Sequence, residues 1–207
     1  MRILVTAGGT REYIDPVRFI SNASTGKMGY AIAQAALEAG HDVTLISAPV
    51  SLAVPQGADV IDVITSEDMF EAVKANINNF DCLIMAAAVS DYRPKISSDK
   101  KIKKEQAELT IELEPTTDIL KWVGEHKRKQ IIVGFALEDT NLLENAQSKM
   151  TAKKMDMIVA NSPAAISADS SQVHIKIASE DWQTIPTTTK NITAAAIIKI
   201  IEGIRHQ

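Results

Sequence analysis

The sequence predicts an α/β protein, a Rossmann-like three-layer sandwich with a mainly parallel sheet. Two observations predict this fold class. Short apolar runs of strand length recur along the 207 residues, and segments whose apolar residues have helical spacing lie between them. Strands that alternate with helices of roughly 10–15 residues form βαβ units around a parallel sheet. Because such crossovers are right-handed, the helices cover both faces of the sheet.

The predicted strands are short and apolar, as is typical of strands buried on both faces of a parallel sheet. They comprise residues 3–5, 43–46, 60–63, 82–85, 131–135 and 157–159. Helices are predicted where apolar residues recur every three or four positions. These helices comprise residues 28–39, 67–77, 142–154 and about 191–204.

The ends of two helices carry local signals. Gly40 stands where the first helix would stop, because glycine readily adopts the conformation that follows a helix. Ser66, followed by Glu67 and Asp68, would begin the second helix, because a hydroxyl and carboxylates suit the unpaired amides of a helix N-terminus.

Two segments break the alternation of strands and helices. Residues 87–115 contain no clear helix, and within them we expect a flap loop over residues 92–106. Residues 110–113 alternate between polar and apolar, like a partly exposed strand. Near the C-terminus, residues 173–177 alternate in the same way and 182–185 follow them, which predicts a C-terminal β-hairpin.

Composition excludes several classes of protein. The apolar fraction of 45% is ordinary for a globular protein, and no repeat or linker divides residues 1–207, so we expect a single domain. The net charge of −4 argues against broad nucleic-acid binding. Cys82 is the only cysteine, which excludes an internal disulfide and a cysteine-based metal site. The sequence contains neither an apolar run long enough to span a membrane nor a secretory signal, so we expect a soluble, cytoplasmic protein.

Ligands of open α/β sheets bind beyond the carboxyl ends of the strands, so the loops that follow the strands are the candidate sites. Gly8 and Gly9 follow the first strand, where glycines let backbone amides approach a phosphate. A tight turn explains them equally well. They do not form the GxGxxG fingerprint, and no acid follows the second strand to hold a ribose, which weakens the interpretation as a dehydrogenase.

The start of the first helix is a possible anion site. Gly26-Lys27 is similar to part of a P-loop, but Ser21 and Met28 replace its first glycine and its metal-binding hydroxyl. The helix can still present its amides to an anion. A simple capped helix is the alternative, and Asn22 would then be a turn residue.

Further candidates follow the later strands. Asp91 could accept a hydrogen bond from a base or hold a metal, although a lone aspartate more often caps a turn. Four lysines in residues 100–104 form either a solvated loop or a flap that carries cations onto a polyphosphate. Lys149 and Lys153 share one helix face, as a surface pair or as a phosphate clamp. The histidines have no metal-ligand spacing, so metal ligands stay unknown.

In their order and spacing, these segments resemble the phosphopantothenate–cysteine ligase family, also called phosphopantothenoylcysteine synthetase. The matching segments are GGTRE at 8–12, IDPVR at 14–18, ISNASTGKMG at 20–29, VTLISAPVSL at 43–52, AAAVSDY at 86–92, KIKK at 101–104, TDIL at 117–120, VGFALE at 133–138 and DMIVAN at 156–161. The resemblance covers about residues 1–161. Thr25 and Ala48 depart from the usual serine and glycine without removing a functional group.

The resemblance implies an enzyme that joins 4′-phosphopantothenate to L-cysteine on the route to coenzyme A. The family activates the carboxylate as an acyl-nucleotide, and the compact loops and the KIKK segment favour CTP over ATP. Mg²⁺ would shield the phosphates. A homodimer is expected, with residues 87–115 and 161–187 contributing to its contact. In many bacteria the domain is fused behind a flavin-containing decarboxylase, and because Met1 directly precedes the first strand we expect the free-standing form.

The resemblance also implies roles for individual residues. Asn22 would be catalytic in amide formation, and Lys101 would stabilise the charge of the transition state. Contacts with the nucleotide are expected from Gly8, Gly9, Met85, Ala86, Ala87, Asp91, Lys101, Thr117, Asp118, Ile119, Leu120, Phe135, Lys149 and Lys153.

Two alternatives from other classes stay open. An NAD(P)-dependent reductase would share the Rossmann-like sheet but needs an acid or arginine after the second strand, where residues 46–49 offer neither. A non-catalytic nucleotide-binding module would explain the glycines and lysines without Asn22. Pyrophosphate release that depends on phosphopantothenate would exclude it.

Overall fold

The computed structural model describes residues 1–104, 108–166 and 168–204, and these residues form twelve strands and five α-helices. The strands are β1 (Arg2–Ala7), β2 (Arg11–Tyr13), β3 (Phe19–Ser21), β4 (Asp42–Ser47), β5 (Asp59–Asp62), β6 (Cys82–Met85), β7 (Tyr92–Pro94), β8 (Leu113–Pro115), β9 (Ile131–Leu137), β10 (Met157–Asn161), β11 (Ser170–Ile177) and β12 (Gln183–Thr189). The helices are α1 (Lys27–Glu38), α2 (Ser66–Asn76), α3 (Ile119–His126), α4 (Leu142–Ala152) and α5 (Lys190–Ile204).

Eight of the strands form one sheet, in the order β12-β11-β10-β9-β6-β1-β4-β5. The six strands from β10 to β5 are parallel. β11 and β12 pair antiparallel and extend the sheet beyond β10. The mainly parallel sheet and the C-terminal β-hairpin predicted from the sequence are therefore confirmed.

Helices pack on both faces of the sheet, because successive side chains of a strand point to opposite faces. Along β1, Ile3 and Val5 belong to the apolar cluster beneath α1 and α5, whereas Leu4 belongs to the cluster beneath α2, α3 and α4. All three side chains are fully buried. This arrangement confirms the three-layer sandwich. None of the helices in the described parts of the chain is both long enough and apolar enough to span a membrane.

The start of α2 differs from the prediction by one residue. Thr65, and not Ser66, is the N-cap: its Oγ1 accepts a hydrogen bond from the Asp68 amide at 3.1 Å. Asp68 Oδ2 accepts from the Thr65 amide at 2.9 Å, which completes a capping box. Ser66 is the first helical residue, and its amide donates to the buried Glu12 carboxylate at 2.9 Å.

Four short elements differ from the sequence prediction. β2 and β3 form a hairpin between the first predicted strand and the first predicted helix, where no strand was predicted, and α3 lies where no helix was predicted. The strand expected at residues 110–113 is shifted toward the C-terminus and pairs as β8 with β7. Elements of three to eight residues contain too few positions to show a period. The described residues of 87–115 contain no helix, as expected.

Two glycines in helices provide a test of how tightly α3 packs. A Cβ at Gly124 of α3 would overlap the carbonyl oxygen of Lys153, whereas a Cβ at Gly203 of α5 would meet nothing within 4 Å. We expect Gly124→Ala to lower the free energy of unfolding by about 1–3 kcal/mol, the usual cost of overpacking. Gly203→Ala, the matched control, should raise it by roughly 0.5–1 kcal/mol. Denaturant unfolding measures both, and equal stability of the two variants would contradict this account.

Candidate active site

A cleft of about 490 Å³ opens at the carboxyl edge of the sheet. Its walls come from the loops after β6 and β8, from the end of β9, from the segment that leads into α1, and from α4. The sequence-predicted residues on these walls are Asn22, Met85, Ala86, Ala87, Asp91, Thr117, Asp118, Ile119, Leu120, Phe135, Lys149 and Lys153. Segments far apart in the sequence therefore meet at one site, as expected for an open α/β sheet.

Gly8, Gly9 and Lys101 are not among the described residues that line this cleft. A Cβ at Gly8 would lie 2.8 Å from the Ala48 carbonyl oxygen, and its φ of 83° favours glycine. A Cβ at Gly9 would lie 2.9 Å from the Asn22 carbonyl oxygen. Close backbone packing behind the cleft therefore accounts for both glycines. Their contact with a nucleotide stays a prediction.

Asn22 is fixed to the loop after β6. Its Nδ2 donates to the carbonyl oxygens of Ala88 at 3.2 Å and Val89 at 3.1 Å. The same loop is also bonded to the chain after β1, because the Ala88 amide donates to the Gly8 carbonyl at 2.8 Å. Since an amide nitrogen has only two hydrogens, Oδ1 is the atom that Asn22 retains for a ligand. Donation by Nδ2 to a ligand requires the exchange of one of these bonds.

The first turn of α1 meets the cleft. Gly26 is the N-cap, its φ is 76°, and as a glycine it has no side chain that could accept a hydrogen bond from the helix amides. Thr25 Oγ1 accepts from the Lys27 amide at 3.5 Å. Ser24 Oγ accepts from the Gly26 amide at 3.3 Å, outside the helix itself. A Cβ at Gly29 would lie 2.6 Å from the Cβ of Ala7, so α1 packs closely against β1. The partial positive charge of the helix N-terminus therefore faces the cleft.

Lys149 and Lys153 project from α4 and its C-cap into the cleft, as the shared helix face predicted. Lys149 Nζ donates to the Phe135 carbonyl at 2.9 Å, and Lys153 Nζ lies 2.8 Å from Asp118 Oδ2. Burial lowers the pKa of Lys149, and the charge of Lys153 lowers it further. Although burial alone would raise the pKa of Asp118, hydrogen bonds from Lys153 and the Lys121 amide lower it overall.

Sequence reasoning missed a second group of charges on the cleft wall. Lys27 and Lys190 are the first residues of α1 and α5, and both line the cleft. Lys27 Nζ lies 2.7 Å from Asp169 Oδ1, and Lys190 Nζ donates to the Ala165 carbonyl at 3.2 Å. Burial and the charge of Lys27 lower the pKa of Lys190. Lys27 belonged to the segment set aside as an incomplete P-loop, whereas Lys190 had no local signal.

Lys101 lies in an exposed segment that contacts the turn between β2 and β3, where Ile102 is bound by Asp15 and Arg18. The predicted flap over residues 92–106 includes β7, and its residues 105 and 106 lie outside the described part of the chain. Cys82 is fully buried in the sheet, and burial raises the pKa of its thiol.

In the described residues, no three His, Cys, Asp or Glu side chains converge in a way that would hold a metal ion. The cleft wall does carry the carboxylates of Asp91 and Asp118. Mg²⁺ is usually held by one or two carboxylates together with the phosphates of a substrate. The residues present therefore fit a Mg²⁺ ion that arrives with phosphates, and not a closed protein cage.

The fold and the cleft define a Rossmann-like α/β protein with a ligand site that is suited to an anion. The described residues of the site include small residues, the fixed side-chain amide of Asn22 and four lysines in two groups. The chain belongs to the family described as the DNA/pantothenate metabolism flavoprotein C-terminal domain, whose model matches residues 1–204.

Relatives agree with this assignment. The chain is 44% identical over 210 residues to the coenzyme A biosynthesis bifunctional protein CoaBC of Bacillus subtilis (strain 168), covering 99% of the chain and 52% of that protein. It thus spans about half the length of the curated relatives it matches. The crystal structure of the C-terminal domain of a CoaBC protein superposes with a TM-score of 0.87 at 42% identity, covering 99% of this chain and 95% of that one.

A more distant structure shares the fold. The Cab2 mutant H337A in complex with phosphopantothenate-cysteine superposes with a TM-score of 0.82 at 18% identity. The match covers 99% of this chain and 88% of that one.

Proposed function

We propose that this chain is a phosphopantothenate–cysteine ligase, which joins 4′-phosphopantothenate to L-cysteine with the conversion of CTP to CMP and pyrophosphate. One observation carries the proposal: twelve residues predicted from the family resemblance, drawn from five separate segments, line a single cleft. The CoaBC relative, named for coenzyme A biosynthesis, supports the same assignment.

The proposed reaction has two steps. In the first, a carboxylate oxygen of phosphopantothenate attacks the α-phosphorus of CTP, and the bond to pyrophosphate breaks. In the second, the cysteine amine attacks the acyl carbon, loses a proton, and displaces CMP. No side chain of the protein needs to become a nucleophile. The protein supplies positioning of the reactants and neutralisation of the phosphate charge.

The geometry of the cleft fits these tasks. The small residues Ala86 and Ala87 follow β6 and leave room for a flat ring, while the start of α1 presents amides to phosphates. Lys149, Lys153 and Lys27 add positive charge on the walls. The nucleotide contacts proposed for the predicted residues are consistent with their common location.

We propose that Mg²⁺ binds together with the nucleotide. Asp91, on the cleft wall, would contact the ion or its water ligands. When bound, Mg²⁺ neutralises phosphate charge at the reacting group. CTP and ATP carry the same triphosphate, and we propose CTP because the compact loops and the KIKK segment at 101–104 resemble those of the bacterial members of the family.

The first prediction concerns activation of the acid. With phosphopantothenate and Mg²⁺ but without cysteine, we expect pyrophosphate release with CTP and little with ATP, GTP or UTP. A coupled phosphate assay measures it, and omission of phosphopantothenate is the control. Release with ATP alone would overturn the choice of CTP and keep the ligase. Folded protein that binds a nucleotide yet releases no pyrophosphate would contradict the ligase and support a binding module.

The second prediction concerns Asn22. We expect Asn22→Asp to slow formation of the amide by about 100-fold, the loss typical when a positioned polar group is removed from a transition state. Pyrophosphate release in the absence of cysteine should fall less than amide formation, because its loss would come only from the bonds of Nδ2 to the Ala88 and Val89 carbonyls, which a carboxylate cannot make. Rapid-quench assays of the acyl-nucleotide and of the final product separate the two steps.

Asn79→Asp is the matched control for this variant. Asn79 is exposed and precedes β6, at the edge of the sheet opposite to the cleft. It should behave like the wild type. Normal amide formation by Asn22→Asp would contradict the catalytic role of Asn22.

We also propose that the chain forms a homodimer through the apolar surface of its two small hairpins. Val17, Tyr92 and Ile96 are 58%, 56% and 80% exposed there. β2 of one hairpin packs against β7 of the other, and exposed apolar side chains on adjoining elements are typical of protein interfaces. We expect sedimentation velocity to show a dimer that Ile96→Asp dissociates. Val54→Asp, at an exposed valine in the loop after β4, is the control, and a wild-type monomer would contradict the proposal.

A further inference from the structure

The lysine-rich segment at residues 100–104 is anchored at its centre. The Ile102 amide donates to Asp15 Oδ2 at 3.1 Å, and Arg18 Nη2 donates to the Ile102 carbonyl at 2.8 Å. One ion pair therefore binds both backbone polar groups of a single residue more than eighty positions away in the sequence. A solvated loop would not need such an anchor.

Asp15 is well suited to hold this anchor. Its side chain is fully buried, and it accepts hydrogen bonds from the amides of Val17 and Arg18 at 2.9 Å each. Arg18 also pairs with it through Nε and Nη2. The Arg18 guanidinium holds the pKa of this carboxyl well below its usual range. The bond from Ile102 is therefore charge-assisted, and such bonds are about twice as strong as neutral ones.

Two further contacts join the same segments. The Ser98 amide donates to the Ile14 carbonyl at 2.9 Å. The side chains of Ile102 and Ile14 line one apolar groove, together with Ile96. The turn between β2 and β3 thus contacts both Ile102 and the residues that precede the lysine-rich segment.

We propose that Asp15 and Arg18 form a clamp that positions Lys101 for the reaction. The proposal rests on the proposed function, in which Lys101 stabilises the transition state. The hairpin of β2 and β3 carries the clamp in its turn and Asn22 directly after its end. One hairpin therefore sets the positions of both proposed catalytic residues, and Asp15 acts as a positioning residue through the backbone of Ile102.

The clamp has a specific kinetic consequence. Lys101 is exposed, and its flexible side chain would sample many positions if the backbone beside it were free. Without the clamp, Lys101 keeps its charge, but its side chain is no longer held in one position. We therefore expect a lower kcat for pyrophosphate release, with little change in the KM for CTP.

The test compares Asp15→Asn with Asp99→Asn, which changes an exposed aspartate directly before the lysine-rich segment. Asp15→Asn keeps the shape of the side chain but removes the charge that binds Arg18 and Ile102. Trypsin should cleave after the lysines of residues 100–104 about tenfold faster in Asp15→Asn, the factor expected for loss of one charge-assisted hydrogen bond. The kcat should fall by a similar factor. Wild-type cleavage and kcat in this variant would overturn the clamp.

A double-mutant cycle separates positioning from a merely structural role. Lys101→Gln should lower kcat by about 100-fold, as for loss of a transition-state contact. If Asp15 acts through Lys101, adding Asp15→Asn to Lys101→Gln changes kcat no further. A further fall in the double variant would overturn the proposal, because Asp15 would then support the fold.

Two more outcomes are informative. A wild-type rate for Lys101→Gln overturns the positioning proposal together with the role of Lys101, while the pyrophosphate assay of the wild type still decides the ligase proposal. If Asp15→Asn does not fold, Arg18→Gln removes the bond to the Ile102 carbonyl instead. Faster cleavage of the lysine-rich segment in Arg18→Gln supports the clamp, and unchanged cleavage overturns it.

Discussion

Close packing of backbone at the carboxyl end of β1 is the constraint on which the site depends. Gly8 and Gly29 leave no room for a Cβ, since one would lie 2.8 Å from the Ala48 carbonyl oxygen and the other 2.6 Å from the Cβ of Ala7. Because neither residue has a side chain, α1 packs closely against β1. The loop after β6 donates a hydrogen bond to the Gly8 carbonyl. The N-terminus of α1 and the backbone that holds Asn22 therefore reach the same cleft.

The central sheet could be predicted from the sequence because hydrophobic burial dominates it. The parallel strands β1, β4, β6, β9 and β10 each contain an apolar run, and burial on both faces leaves few other structures for such a run. The hairpin of β2 and β3 could not be predicted in this way. Its anchors are the buried carboxylates of Glu12, bound to the Ser66 amide, and Asp15, bound to Arg18. Such polar contacts between distant segments leave no periodic pattern.

The residues of the candidate site also include some that could be predicted from the sequence and some that could not. The family resemblance led to Asp118 and Lys149, and the structure brings both to the cleft. It did not lead to Lys190, which lies at the start of α5 beyond the matching segments, nor to the clamp at Asp15. A lysine at a helix N-terminus, where the dipole is unfavourable, is noticeable only once the helix and its neighbours are located.

The charges of the cleft explain how lysines are kept close together before a ligand binds. Lys153 is paired with Asp118 and Lys27 with Asp169, and these carboxylates are 43% and 87% exposed. Ion pairs at such exposure contribute little to stability, so they hold the lysines in place without binding them firmly. A polyphosphate carries more charge than a single carboxylate and can replace it at little cost. In the proposed reaction the carboxylates would therefore act as exchangeable counter-ions, and the protein would keep its cations oriented toward the position where negative charge develops.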